Sequence, residues 1–377
     1  MVRVGLLVGV TSAQLSTGSG LEVFTRGGAP LASLPAAQTW VARLSGRNVV
    51  LNRSSADIGP ASSMTLQPRE GGAISVNGRS YRGSLELLVT DSGLTVVNQV
   101  SLEEYLPGVV GAEMGPRPAG DREALEAQAI VSRTYALRNR GRWASQGFDY
   151  QSGVSDQVYG GVAAENAGSR DAVAQTTGLI VTWNGQPIDA FFFSTCGGRT
   201  ELGTEVFRGA NPAYLRSVSD VAPDGTAYCS LSPRYHWQEE FTGGQLRAAL
   251  RRYLPAATSV AAERVGRVRD VRVSSRTGSG RVRTMVVDLP GGEVAVPGPA
   301  ARRVLRDPAG NILRSTLFTL RATHAGGEVS HLVIEGSGAG HGVGFCQWGA
   351  VGRARAGQEH EAIISAYFPG TQIERAY

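Results

Sequence analysis

Apolar and polar residues alternate in short runs over the first hundred residues, and turn residues break the runs. Val2–Val8, Leu21–Phe24, Asn48–Leu51, Ala73–Val76 and Leu85–Val89 read as strands, with breaks at Gly27–Gly28 and Gly71–Gly72. Asp91-Ser92-Gly93 predicts a hairpin turn into a strand over Leu94–Val100. The period changes at Ser101. Ser101 with Glu104 three residues on is a capping-box pattern that opens a helix. Pro107 fits the first residue of a second turn rather than a helix interior. Beyond the breaks at Pro116 and Pro118, Asp121 suits the N-cap of an Ala-rich helix over Arg122–Arg138. Strand pattern returns at Leu179–Trp183 and, past an Asn184-Gly185 turn, at Ala190–Ser194. Residues 235–335 alternate again, with a helix near Gly244–Tyr253 and strands near Val268–Ser274, Thr284–Leu289 and Leu317–Ala322. A Gly-rich loop at 336–344 and two short helices, about 348–356 and 359–367, end the chain. This is a strand-rich α+β pattern: Gly-rich mixed β domains around a small helical segment. It divides into a β-rich region at 1–100, a core at 101–234, a β-rich insert or second domain at 235–335, and a C-terminal stretch at 336–377 completing the core.

A length of 377 residues allows two or three domains, or one large one. The 42% hydrophobic content excludes a largely disordered chain. Fifty glycines, nearly twice the usual ~7%, fit a turn-rich β body. All 37 basic residues are arginine, which reflects either coding bias or selection for forked carboxylate binding. The net charge of +5 suits acidic partners but is too small to indicate nucleic acid. No apolar run reaches the ~18 residues of a membrane span. Val4–Val10 lacks a clear cleavage site and reads better as a strand than as a secretory leader, which is expected to be absent or already removed. Cys196, Cys229 and Cys346 contain no CxxC pair, which excludes a standard zinc ribbon or thioredoxin site.

Glu103 and Glu104 stand in a first helical turn, where carboxylates suit the helix dipole. Glu113 is different, because it follows Val109-Val110-Gly111-Ala112 and precedes Met114-Gly115-Pro116. A carboxylate among apolar residues at a chain break is partly desolvated, which moves its pKa toward that of a proton donor; a surface Glu or helix cap is the alternative. Gln128 and Arg133 interrupt an Ala/Ile/Val-rich helix. They form either a helix edge with solvated heads or, for Arg133, a group that orients a carboxylate. Ser194-Thr195-Cys196-Gly197-Gly198 places small polar groups at a strand end, with no His nearby in sequence to activate a nucleophile. The 336–349 stretch is too glycine-dense for a helix and lacks the Lys-Ser/Thr of a phosphate loop. His341 within it reads as facing a cleft, or else as a turn histidine in solvent.

The segments SLEEYLPGVVGAEM, EALEAQAIVSRTYAL, QVYGG, FFFSTCGGRTE, PAYLRSVSD and GHGVGFCQWGA…AYFPGT follow one another over about 270 residues. Together they resemble the stage II sporulation protein D (SpoIID) / LytB amidase-enhancer family. The resemblance implies a lytic transglycosylase that cleaves denuded peptidoglycan strands to 1,6-anhydroMurNAc ends, with Glu113 as catalytic acid. It carries the family's arginine onto Arg133 and its tyrosine and basic residue onto Tyr214 and Arg216, Arg standing where the family has Lys. Ser194, His341 and Gln347 fall in matched segments and are taken as substrate-binding. The family aspartate falls on Asp220 or Asp224. Some members carry zinc on a Cys-x-x-x-His-Cys pattern before QVY; here that stretch is Gln151–Tyr159 without a soft ligand, so no metal and no other cofactor is expected. The alternative is a non-catalytic wall-binding module that stimulates an N-acetylmuramoyl-L-alanine amidase. Either reading implies a location in the cell envelope or outside the cell, a glycan-strand ligand, a cell-wall amidase as a further partner, and no nucleic acid. In such an oxidising compartment Cys196 and Cys229 are expected to pair, leaving Cys346 a buried thiol. Three reduced thiols, or a Cys/His metal site using His341, remain the alternatives.

Overall fold

The structure, a computed structural model, describes residues 1–54, 56–207, 209 and 212–377. It is a strand-rich α+β protein. Two compact units divide it: residues 1–189 with 373–377, and residues 190–372. The break after Asp189 does not coincide with the changes of sequence texture near 100, 234 and 335. Residues 1–100 share a unit with the helical segment that follows them.

In the first unit a seven-stranded sheet runs in the order Tyr150–Gln151, Val2–Val10, Gly93–Val100, Ser84–Thr90, Ser63–Pro68, Leu21–Thr25, Pro30–Leu34. The N-terminal apolar run is thus a strand, antiparallel to Gly93–Val100 and parallel to Tyr150–Gln151. A six-stranded sheet packs on it, burying Ala13, Leu15, Ala42, Val49 and Leu51 with Met64, Leu66, Leu85 and Leu87 of the first. Alternating patterns in both sheets become one shared apolar layer.

Helix α1 (Leu102–Met114) opens as its sequence predicts: the Ser101 hydroxyl accepts the Glu104 N–H at 3.2 Å. Pro107, expected at the start of a second turn, lies inside the helix. Burial of Leu102, Tyr105, Leu106, Val109 and Val110 outweighs the ~3 kcal/mol that an interior proline costs. Helix α2 has the predicted bounds, Arg122–Arg138. Helix α3 (Ala167–Gln175), capped reciprocally by Asn166 and Ser169, was not legible and packs on both. The strand Leu179–Trp183 then turns at Asn184 and Gly185, whose φ values of 53° and 71° fit the two-residue hairpin turn.

The second unit holds two three-stranded antiparallel sheets: His236–Thr242, Glu328–Ser337, Phe318–Ala325, and Asp270–Arg276, Val282–Leu289, Gly292–Pro297. Helices Gly243–Tyr253 and Gly298–Val304 complete their core, around Phe241, Leu246, Leu250, Met285, Leu332 and Ile334. In the same unit Phe192–Phe193 pairs in parallel with Phe345–Cys346. The Gly-rich loop lies along this pair. Gly340 and Gly344 hold φ of +107° and +79°, and a Cβ on either would strike Phe193 Cβ at 2.7 Å or the Phe191 carbonyl at 2.4 Å.

Candidate functional site

Glu113 is the penultimate residue of α1, half-buried, just before the Gly115 C-cap. Its Oε1 accepts the Val158 N–H at 2.9 Å. The loop carrying Val158 reaches the helix because α1 is glycine-faced there: a Cβ on Gly111 would stand 2.0 Å from the Ala164 carbonyl oxygen. The Gly160 N–H donates to the Gly108 carbonyl at 3.2 Å, and the Gln157 amide to the Ser132 carbonyl at 3.2 Å. Upstream, the Asp156 carboxylate is fully buried. It gathers Trp143 Nε1 (2.7 Å), Arg142 Nη1 (2.9 Å), the Gln151 N–H (2.9 Å) and the Tyr135 hydroxyl (3.1 Å). This is the stretch in which the metal-ligand pattern is missing, and a hydrogen-bonded carboxylate organises it instead. Neither Val158 nor Asp156 was picked out from sequence. A backbone donor leaves no side-chain signal, and Asp156 looks like any loop aspartate.

Arg133 requires a correction. It is wholly buried and its guanidinium is taken up by groups of the protein: Nε and Nη2 donate to Glu103 at 2.7 and 2.8 Å, and Nη1 to the Leu179 carbonyl at 3.1 Å. Burial raises the Glu103 carboxyl, but Arg133 and the Tyr377 hydroxyl together hold it below the usual range. Gln128 is likewise not a solvated head, since it is buried and donates to Ser132 Oγ at 2.9 Å.

The second unit carries the remaining candidates. Tyr214 is buried in a 3-10 turn, Ala213–Leu215, and Arg216, just past it, is exposed. Ser194 is half-buried, its carbonyl accepting the Trp348 N–H at 3.0 Å, and Gln347 is buried at the start of the helix Gln347–Arg355. His341 is half-buried and packs among aromatic rings. Nε2 donates to the Phe192 carbonyl at 2.9 Å and Nδ1 accepts the Val343 N–H at 3.2 Å, which fixes a neutral tautomer. Phe193 and Phe207 lie 5.2 Å away, and burial lowers its pKa to about 4.

Cys196 and Cys229 are not disulfide-bonded. None of the three cysteines is in a disulfide, and the two sulfurs stand 3.4 Å apart against the ~2.05 Å of a bond. Cys346 is not a separate thiol either, because its sulfur joins the same cluster together with Asp220. Of the two aspartates left open, Asp220 is the built-in one. Its Oδ1 accepts from Arg353 (3.0 Å) and Tyr367 (2.8 Å), whereas Asp224 caps a surface turn at Thr226. Burial raises the Cys196, Cys346 and Asp220 groups, while hydrogen bonds from the other two thiols lower Cys229.

A family model described as Stage II sporulation protein matches residues 90–183, the stretch that carries Glu113 and the loop holding it. The chain is 31% identical over 297 residues to Stage II sporulation protein D of Bacillus subtilis, covering 74% of this chain and 76% of that one. The chain belongs to the stage II sporulation protein D family. Over 302 residues it is 27% identical to the Amidase enhancer of Bacillus subtilis, covering 71% of this chain but 40% of that longer protein. An uncharacterized protein of Brachyspira hyodysenteriae is 29% identical over 79% of this chain and 73% of its own length. A model for a domain of unknown function matches residues 226–344. In this family member, residues 190–225 and 345–372, which with that domain make up the second unit, contribute three of the four members of the thiol and aspartate cluster.

Proposed function

We propose that this family member is a cell-envelope lytic transglycosylase that cleaves the MurNAc–GlcNAc bond of peptidoglycan strands lacking stem peptides. The observation that carries the reading is Glu113: one half-buried carboxyl at the end of a helix, oriented by a backbone N–H. Cleavage of a glycosidic bond needs a proton delivered to the leaving oxygen. Glu113 supplies it as the bond from MurNAc C1 to the GlcNAc oxygen breaks. The resulting carboxylate then takes the proton of the MurNAc 6-hydroxyl as that oxygen closes on C1, which forms the 1,6-anhydro ring and regenerates the acid. An intramolecular nucleophile has a high effective molarity, so a second carboxylate is not required. With Arg133 committed to Glu103, the exposed Arg216 is the guanidinium suited to the lactyl carboxylates of a denuded strand.

The test is mass spectrometry of amidase-treated peptidoglycan after incubation with the protein. The wild type is expected to yield anhydro-muramyl ends. Glu113→Gln is expected to fold normally and lose at least ~100-fold of the rate, within the range of general acid catalysis. The similarity to a protein named Amidase enhancer favours a second reading, a non-catalytic module that stimulates a wall amidase. A Glu113→Gln protein that still enhances a purified amidase, from a wild type that releases no anhydro ends, would establish that reading instead.

A further inference from the structure

We infer that Cys196, Asp220, Cys229 and Cys346 form a buried, four-coordinate zinc site that ties together four segments of the second unit. Their donor atoms all lie within 4.8 Å of one another, and each of the four residues is fully shielded from solvent. Around one tetrahedral zinc, with Zn–S bonds of about 2.3 Å, sulfurs stand about 3.8 Å apart, so the cluster has the span of a single ion. Soft thiolates select zinc, copper(I) or iron–sulfur clusters; the carboxylate oxygen disfavours copper(I) and the single-ion span disfavours a cluster. The set is closed, with no donor position open to solvent, as structural zinc sites are.

The surroundings are built for thiolates rather than thiols. The Cys346 sulfur accepts the N–H groups of Cys196 (3.1 Å) and Gly349 (3.3 Å), and the Cys196 sulfur accepts that of Gly198 (3.3 Å). N–H donors favour the charged sulfur. Asp220 turns Oδ2 toward the Cys196 sulfur at 3.0 Å, while Arg353 and Tyr367 fix Oδ1 from behind, the outer-shell arrangement that orients a ligand carboxylate. Gly349 makes room for this carboxylate, since a Cβ there would lie 2.2 Å from Oδ2.

Charge supplies an independent argument. Arg281 is buried, its Nη2 donating to the Cys196 carbonyl at 2.6 Å, and the three cysteines act on it electrostatically together with the buried Glu201. Three thiolates and a carboxylate carry four negative charges and zinc neutralises two. The remaining two face the guanidiniums of Arg353 and Arg281, the second of which also lies in the field of Glu201. A Cys196–Cys229 disulfide would remove two of the negative charges that face those cations. The sequence gives no CxxC because the ligands arrive singly from separate segments. Asp220 stands four residues after Arg216, so occupancy also fixes the stretch that carries the exposed arginine.

The full chain, purified without a metal-chelating tag, is expected to contain about one zinc per molecule by elemental mass spectrometry. In denaturant with chelator it should show three titratable thiols without prior reduction. Reconstitution with Co2+ is expected to give sulfur-to-cobalt charge transfer in the near ultraviolet and the visible bands of tetrahedral cobalt. Cys346→Ser should lose at least about tenfold in zinc retention against a competing chelator. A Cys196–Cys229 disulfide in the unreduced peptide map, or three free thiols with neither zinc nor a thiolate–cobalt spectrum, would overturn the site. The cobalt spectrum is read on the wild-type chain, so the outcome does not depend on whether a variant folds.

Discussion

A guanidinium removed from water needs a full set of acceptors, and Arg133 finds them in Glu103 and in the carbonyls of Leu179 and Val173. Arg216, by contrast, stands in solvent. The resemblance gave the two arginines the same role, because an Arg in a recognised motif carries no mark of its burial. Their variants are expected to separate them. Arg133→Leu leaves Glu103 without its cation and should cost about 3 kcal/mol of stability, read by denaturant titration. Arg216→Ala should leave the melting curve in place and raise KM on denuded strands roughly tenfold, the cost of a lost charge-assisted hydrogen bond. An unaltered KM would remove Arg216 from substrate binding.

At the level of elements, what was legible is what local sequence decides. Helix α2, the strand Leu179–Trp183 and the Asn184-Gly185 turn follow from propensity, period and positive φ at fixed positions. Pro107 was misplaced because tertiary burial overrode a local rule: it is retained inside a buried helix. The thiol and aspartate cluster was illegible for a related reason, as its members meet only when separate segments fold together. The link between α1 and its facing loop gives an element-scale prediction. In Gly111→Ala the new methyl meets the Ala164 backbone, which cannot rotate away, so the loop must shift and with it the Val158 N–H that orients Glu113. Release of anhydro ends is expected to fall at least ~10-fold, because misplacing a proton donor forfeits much of its 10²–10⁴ contribution. An unchanged rate would show that this N–H does not position the acid.

On the scale of the whole chain, the second unit is inserted between residues 189 and 373 of the first, and residues 373–377 return to it. There Arg375 donates to the Thr177 carbonyl at 2.6 Å and Thr182 to Glu374 at 2.7 Å. Acid should act on the inserted unit through His341. Folded, its pKa is lowered to about 4, chiefly by burial, with the cations Arg302 and Arg281 adding to the effect; unfolded, it titrates near 6.5. Above pH ~6.5 neither state holds the proton, and the neutral, doubly hydrogen-bonded ring contributes its full stability. Between about 6.5 and 4 the unfolded chain takes up a proton that the folded chain refuses. Stability therefore falls as pH falls, by up to about 1.4 kcal/mol per pH unit, and the loss levels off below about 4. His341→Gln keeps a donor for the Phe192 carbonyl but cannot take up the proton. Denaturant titrations of wild type and His341→Gln from pH 7 to pH 4 are therefore compared by their difference, in which shared groups cancel. The gap is expected to shrink steadily toward acid as the wild type loses its advantage. A gap that stays constant across that range would mean that His341 titrates alike in the folded and unfolded states and that the acid response of the unit comes from elsewhere.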